Sequence, residues 1–208
     1  GEVERLNQTL DFPVIVIQAP GHWNLGDCYN VAVEAATGDF ITKWDDDDYY
    51  GESHITDLVL AQRYSNADIV GKMVEFVYLE DLDITVARDT GGSERMNNRH
   101  VAGGTMMMTR HLARTLRFDR RRRWVDAGIL ARARNAGCTI YATHPLGYML
   151  NRHGRGHTWE SDSSQFLQAE RVRVSGLQHD LAGVREGLGA NSGDMTSQRS
   201  PESRSRQA

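Results

Sequence analysis

The chain has 208 residues, of which 39% are hydrophobic and 25% charged, with a formal net charge of −4. That length suits one domain with a real core and is short for two. The charge gives no bulk pull toward nucleic acid or an anionic membrane, no apolar run approaches a membrane span, and no signal-peptide pattern opens the sequence.

In chain order, Val14, Ile15, Val16 and Ile17 predict a short buried strand over residues 13–18. Pro20 and Gly21 mark a turn. Leu25, Val31, Ala32 and Ala35 predict a helix over 25–37, with Asn24 as N-cap and Gly38 in the position after its C-cap. Residues 39–44 read as a second strand. Ser53 is placed to cap a helix carrying Ile55, Leu58 and Val59. Residues 67–78 read as strand, 88–99 as a polar loop with Gly91 and Gly92, and 101–109 as a buried strand with Gly103, Gly104 and three consecutive Met residues. A helix follows over 124–136, closed by Gly137, and a last strand over 138–143. Alternating strands and helices predict an α/β domain over 1–175, and residues 176–208 read as a polar, disordered tail. Cys28 and Cys138 have no metal-ligand spacing and read as thiols of a cytoplasmic protein.

The second strand ends in four consecutive carboxylates, Asp45, Asp46, Asp47 and Asp48. Adjacent anions repel, so a fold that holds them together invites a divalent cation. Acidic runs are commonly solvated faces, but Trp44, Tyr49 and Tyr50 flank this one. An Asp cluster at a strand exit is also where open α/β sheets place ligands. An EF-hand count fits Asp46, Asp48, Gly51 and Asp57, but Tyr50 stands at its fifth position and Asp57 replaces the usual Glu. A metal-dependent phosphohydrolase would use the same cluster, but its nucleophile and later Lys cannot be traced.

Gly26 and Asn30, then residues 36–41 (Ala36, Thr37, Gly38, Asp39, Phe40, Ile41), then the Asp run, resemble the inverting glycosyltransferases of family 2. Gly103 and Gly104 resemble their acceptor-side segment. Residues 123–132, with Asp126, resemble the segment that carries their catalytic base. The resemblance implies a three-layer GT-A-like, Rossmann-like fold, a nucleotide-diphosphate sugar donor and Mn²⁺ or Mg²⁺ as cofactor. It implies Asp126 as base, Asp45, Asp46, Lys43 and Asn30 at the donor, and Asp47, Asp45 and His153 or His157 on the metal. Val125 stands where the family often has Glu. The family's first strand and helix, which bind the nucleobase, have no counterpart, so the expectation is a chain that starts about two elements late and a donor pocket incomplete without further residues. The rival implied by that gap is a non-catalytic remnant.

The acceptor would be the hydroxyl of a sugar, a lipid-linked molecule or another alcohol. The location implied is the cytoplasm, with a possible peripheral contact at the inner membrane face. Trp159 would stack on a sugar or cover the core. The arginines between Arg110 and Arg134 read mostly as a solvated face; their alternative, shared by Lys43 and Lys72, is contact with pyrophosphate or an anionic acceptor.

Overall fold

The computed structural model describes residues 5, 8–10, 12–91, 94–96, 100–153, 164–168 and 170–184. Two mixed five-stranded sheets form the frame. The first runs in the order β1 (Phe40–Thr42), β7 (Met107–Thr109), β3 (Ile69–Lys72), β8 (Ile140–Thr143), β6 (Arg95–Met96). The second runs β10 (Glu170–Ser175), β5 (Ile84–Arg88), β4 (Phe76–Leu79), β9 (Tyr148–Arg152), β2 (Tyr49–Tyr50). Each sheet contains one parallel pair, β3 with β8 and β4 with β9.

Those two pairs are consecutive along the chain. β3 passes into β4 through residues 73–75, and β8 into β9 through 144–147, so a two-stranded parallel ribbon bends from one sheet into the other. Lys72 sits at the crease, wholly buried. Its Nζ donates to Asp57 Oδ2 at 2.9 Å and to the carbonyls of Leu146 (2.6 Å) and His144 (3.4 Å). It therefore makes no contact with a cleft anion, contrary to the alternative the sequence left open.

Alternate residues of the first sheet face opposite ways. Ile69, Met108, Ile140 and Ala142 pack on α1 (Leu25–Ala35), α3 (Arg110–Leu116) and α4 (Val125–Asn135). Val70, Met107 and Tyr141 pack on α2 (His54–Ser65). Helices on both faces of a sheet make the α/β layering read from the sequence. The second sheet packs Phe76, Ala87 and Met149 on Ala182 and Val184, and Val77, Leu79 and Val86 on Phe166 of α5 (Ser164–Leu167). Residues 177–184, read from sequence as tail, thus hold part of the core.

Local signals explain several element ends. Asn24 caps α1 and exchanges bonds with Asp27 in a capping box. Gly38 does not take the predicted role: α1 ends on Ala36 in extended conformation. Ser53 occupies the cap position of α2, but its side chain makes no capping bond. Residues 13–18 form no strand, and Ile15 and Val16 are 63% and 62% exposed. No described strand pairs with them, and a β-type composition makes a strand only with a partner ladder. The predicted strand at 67–78 is two strands in two sheets, split at the crease. Residues 103–105 form a 3₁₀ turn before β7. Strands β2, β5, β6, β9 and β10 and helices α3 and α5 had not been anticipated.

Candidate functional site

A cleft of about 590 Å³ opens over the crease. The loop after β1 brings residues 43–48 to it, the turn before β7 brings Gly103 and Gly104, the start of α4 brings Asp126, and β9 brings Tyr148 and Arg152. All four aspartates of the run line it, together with Lys43 and Asp126.

The run is held by named bonds. Asp45 N donates to Tyr50 Oη at 2.8 Å, and Tyr50 Oη donates to the Gly104 carbonyl at 3.0 Å. Asp48 accepts from Tyr148 Oη (2.8 Å) and from Asn151 N (3.0 Å), which ties the loop to β9. Burial pushes the Asp48 carboxyl up to about 7, although both bonds favour its ionised form. Asp47 Oδ2 lies 3.1 Å from His153 Nε2. Asp46 is exposed at the loop tip. Trp44 stacks on Tyr50 with ring centroids 4.5 Å apart.

Asp126 sits in the first turn of α4, where the helix dipole favours a carboxylate. Burial raises its pKa, and the ammonium of Lys43 opposes that shift. Lys43 Nζ is 2.6 Å from Asp45 Oδ1 and 3.6 Å from Asp126 Oδ2. Asp126 Oδ1 is buried and has no hydrogen-bond partner among the described residues. Trp124, the N-cap of α4 two residues before Asp126, is 61% exposed and held at φ 62°, ψ 24°. A left-handed non-glycine residue costs ~1–2 kcal/mol, and such residues cluster at functional sites.

The glycine pair is a steric requirement. A Cβ on Gly103 would fall 2.5 Å from Asp126 Cγ, and one on Gly104 would fall 2.8 Å from Asp45 Oδ2 and 2.7 Å from Tyr50 Oη. Two adjacent glycines thus let one backbone turn pass between the two carboxylates.

Asn30, expected at the donor, is not among the cleft residues. Its Nδ2 donates to the Phe118 carbonyl and its Oδ1 accepts from Phe118 N, both at 2.8 Å. It fastens the loop after α3 from the side of a separate hollow of about 510 Å³. Asp119 secures that loop through Arg132, while Gly26 and Gly128 leave room for it. Most of the arginines pair locally: Arg114 with Glu34, Arg120 with Asp27, Arg121 with Asp119. Arg123 lines the cleft. His157 and Trp159 lie outside the described residues. Sequence reasoning passed over Tyr148 and Arg152 because β9 itself was missed, and counted Tyr50 only as aromatic mass.

Among the described residues no three His, Cys, Asp or Glu side chains converge as a ready metal site, and no helix is long and apolar enough to cross a membrane.

The family model described as Glycosyl transferase family 2 matches residues 2–123, more than half of the chain. The chain belongs to that family. Asp126 lies just past the matched stretch. Among curated proteins, none matches. Among solved structures the chain is similar to S. aureus TarS 1–349, crystallised in complex with UDP-GlcNAc, with a TM-score of 0.51 and 15% identity. The similarity covers 76% of this chain and 47% of TarS 1–349, so the chain spans about half the length of that structure. At that identity the likeness shows the shared fold, of GT-A-like type.

Proposed function

We propose that the protein moves a sugar from a nucleotide-diphosphate donor to an acceptor hydroxyl with inversion, in a metal-dependent reaction with Asp126 as general base. The observation that carries this reading is the convergence of Asp45 and Asp126 on one cleft, joined through Lys43 and separated only by the Gly103–Gly104 turn. Inversion is one displacement. The acceptor oxygen bonds to the anomeric carbon, the nucleotide diphosphate leaves, and the hydroxyl proton passes to a carboxylate. The Asp126 carboxylate, its side chain 33% exposed in the cleft, takes the proton. Asp45 and Asp46 face the donor from the opposite wall.

The residues fit a divalent ion. Adjacent ligands of an octahedral ion bound at ~2.1 Å lie ~3 Å apart, which matches the 3.1 Å between Asp47 Oδ2 and His153 Nε2. Carboxylate, imidazole and phosphate oxygens suit Mn²⁺, and two protein ligands with substrate phosphates suit Mg²⁺. When bound there, the ion would neutralise the leaving diphosphate.

The test is release of nucleotide diphosphate from a panel of nucleotide sugars with sugar acceptors, in Mn²⁺ or Mg²⁺. UDP sugars head the panel because TarS is seen with UDP-GlcNAc. A chelator should abolish release. Asp126→Asn should lower it by about 100- to 10,000-fold. Calorimetry with Mn²⁺ and a nucleoside diphosphate should lose binding in Asp47→Ala. A wild-type chain that turns over no donor would favour the non-catalytic remnant, and unchanged turnover in Asp126→Asn would move the base elsewhere.

A further inference from the structure

We infer that Lys43 is a positioning residue, an internal counter-ion that holds the base Asp126 and the donor-side Asp45 in one fixed arrangement, rather than a contact for the donor diphosphate. The inference rests on the transferase reading of the cleft. Lys43 is only 8% exposed. Its backbone N donates to the Met106 carbonyl at 3.0 Å, which anchors it directly beside the glycine turn. Its ammonium lies 2.6 Å from Asp45 and 3.6 Å from Asp126, with the Tyr29 ring centroid 5.2 Å away.

The charge balance argues against a diphosphate contact. One cation between two carboxylates leaves the group at −1, which repels an incoming anion. The same cation opposes the burial that raises Asp126. Geometry completes the role. Gly103 backs Asp126 on its Oδ2 side, and Lys43 draws the same oxygen toward Asp45. With Oδ2 held between them, the carboxylate keeps one orientation in the cleft. Without Lys43, two carboxylates repel across the cleft and the base loses its orientation. A misplacement of ~1 Å costs on the order of 100-fold in rate.

The experiment compares the full chain with Lys43→Met, Lys43→Arg, Asp126→Asn and the double variant Lys43→Met/Asp126→Asn. For transfer, Lys43→Met should lower kcat by about 100-fold with donor KM little changed. Lys43→Arg should recover part of the loss by restoring the charge. The double variant should be no slower than Asp126→Asn, because a positioning residue acts through the group it positions. A raised donor KM with kcat intact, or additive losses in the double variant, would overturn the inference. Thermal melts read the bridge without activity. Lys43→Met should lower Tm by about 5 °C, and by less than half as much in the Asp126→Asn background. If wild type turns over no donor, the transferase reading fails and the melts alone decide: equal Tm losses in both backgrounds overturn the bridge, and a halved loss upholds it.

Discussion

Replacing Gly103 by Ala adds one methyl group at the narrowest point between the glycine turn and α4. That methyl carbon would lie 2.5 Å from Asp126 Cγ and 3.2 Å from Asp126 Cβ. Carbon–carbon contact is comfortable from ~3.5 Å, so the carboxyl carbon has to move ~1 Å. The carboxylate is the free end of its side chain and can rotate away, while the contact with Asp126 Cβ asks for a shift of only a few tenths of an ångström at the start of α4. Stability should therefore fall by less than about 1.5 kcal/mol. The rotation takes Oδ2 off Lys43 and shifts the proposed base from its place, and a displacement of that size corresponds to a loss on the order of 100-fold in kcat. The assay is steady-state nucleotide diphosphate release with saturating donor and acceptor, beside a urea denaturation curve on the same preparation. Donor KM should stay near wild type, because the methyl points at the base and not at Asp45. Turnover within threefold of wild type, in a folded variant, would refute the claim that the glycine is kept for the base.

His54 is wholly buried, and burial, helped by Lys72, pulls its imidazole down to about 4 from 6.5. The unfolded chain binds the proton first, so stability is lost as pH falls from about 6.5 toward 4; between pH 7 and 4.5 the loss is about 2.5 kcal/mol. His54→Gln should remove that part of the slope in urea denaturation at the two pH values. Lys72→Met leaves Asp57 and two carbonyls without their cation at the crease and should cost about 3 kcal/mol, with part regained in Lys72→Met/Asp57→Leu by the same measurement. Asn30→Ala strips the Phe118 backbone of both partners and should cost about 2–4 kcal/mol, while nucleotide-sugar affinity by calorimetry stays unchanged; weakened affinity would return Asn30 to the donor.

What could be read in advance was whatever the chain states locally. The Asp run, the Gly103–Gly104 pair and Asp126 announce themselves by residue type within a few positions, and the structure brings all of them to one cleft. The capping box at Asn24 is likewise complete within four residues. The partners that give these groups meaning are remote in sequence. Tyr148 reaches Asp48 across 100 positions, and Phe118 uses both ends of Asn30 across 88. No local pattern marks such pairs. Lys43 is legible as a cation, but its neutralisation by Asp126 depends on where α4 docks. The apolar stretch 13–18 shows the converse failure, since strand-like composition says nothing of whether a ladder stands beside it. The split of 67–78 was hidden because Met73 and Val74 continue the apolar run straight through the bend.

The ribbon that crosses from one sheet to the other carries a mechanical consequence. Both of its strands turn at the same level, and Lys72 grips carbonyls of the second turn from the end of the first strand. The two sheets therefore cannot slide past one another without shearing two covalent chains in the same direction. Opening and closing about the fold line is the motion left. Asp126 rides on the first sheet's side of that line, and β9, which leads to His153, rides on the other. The separation of the proposed base from the proposed metal ligand His153 thus becomes a single angular coordinate, stiffened at its axis by one buried ammonium.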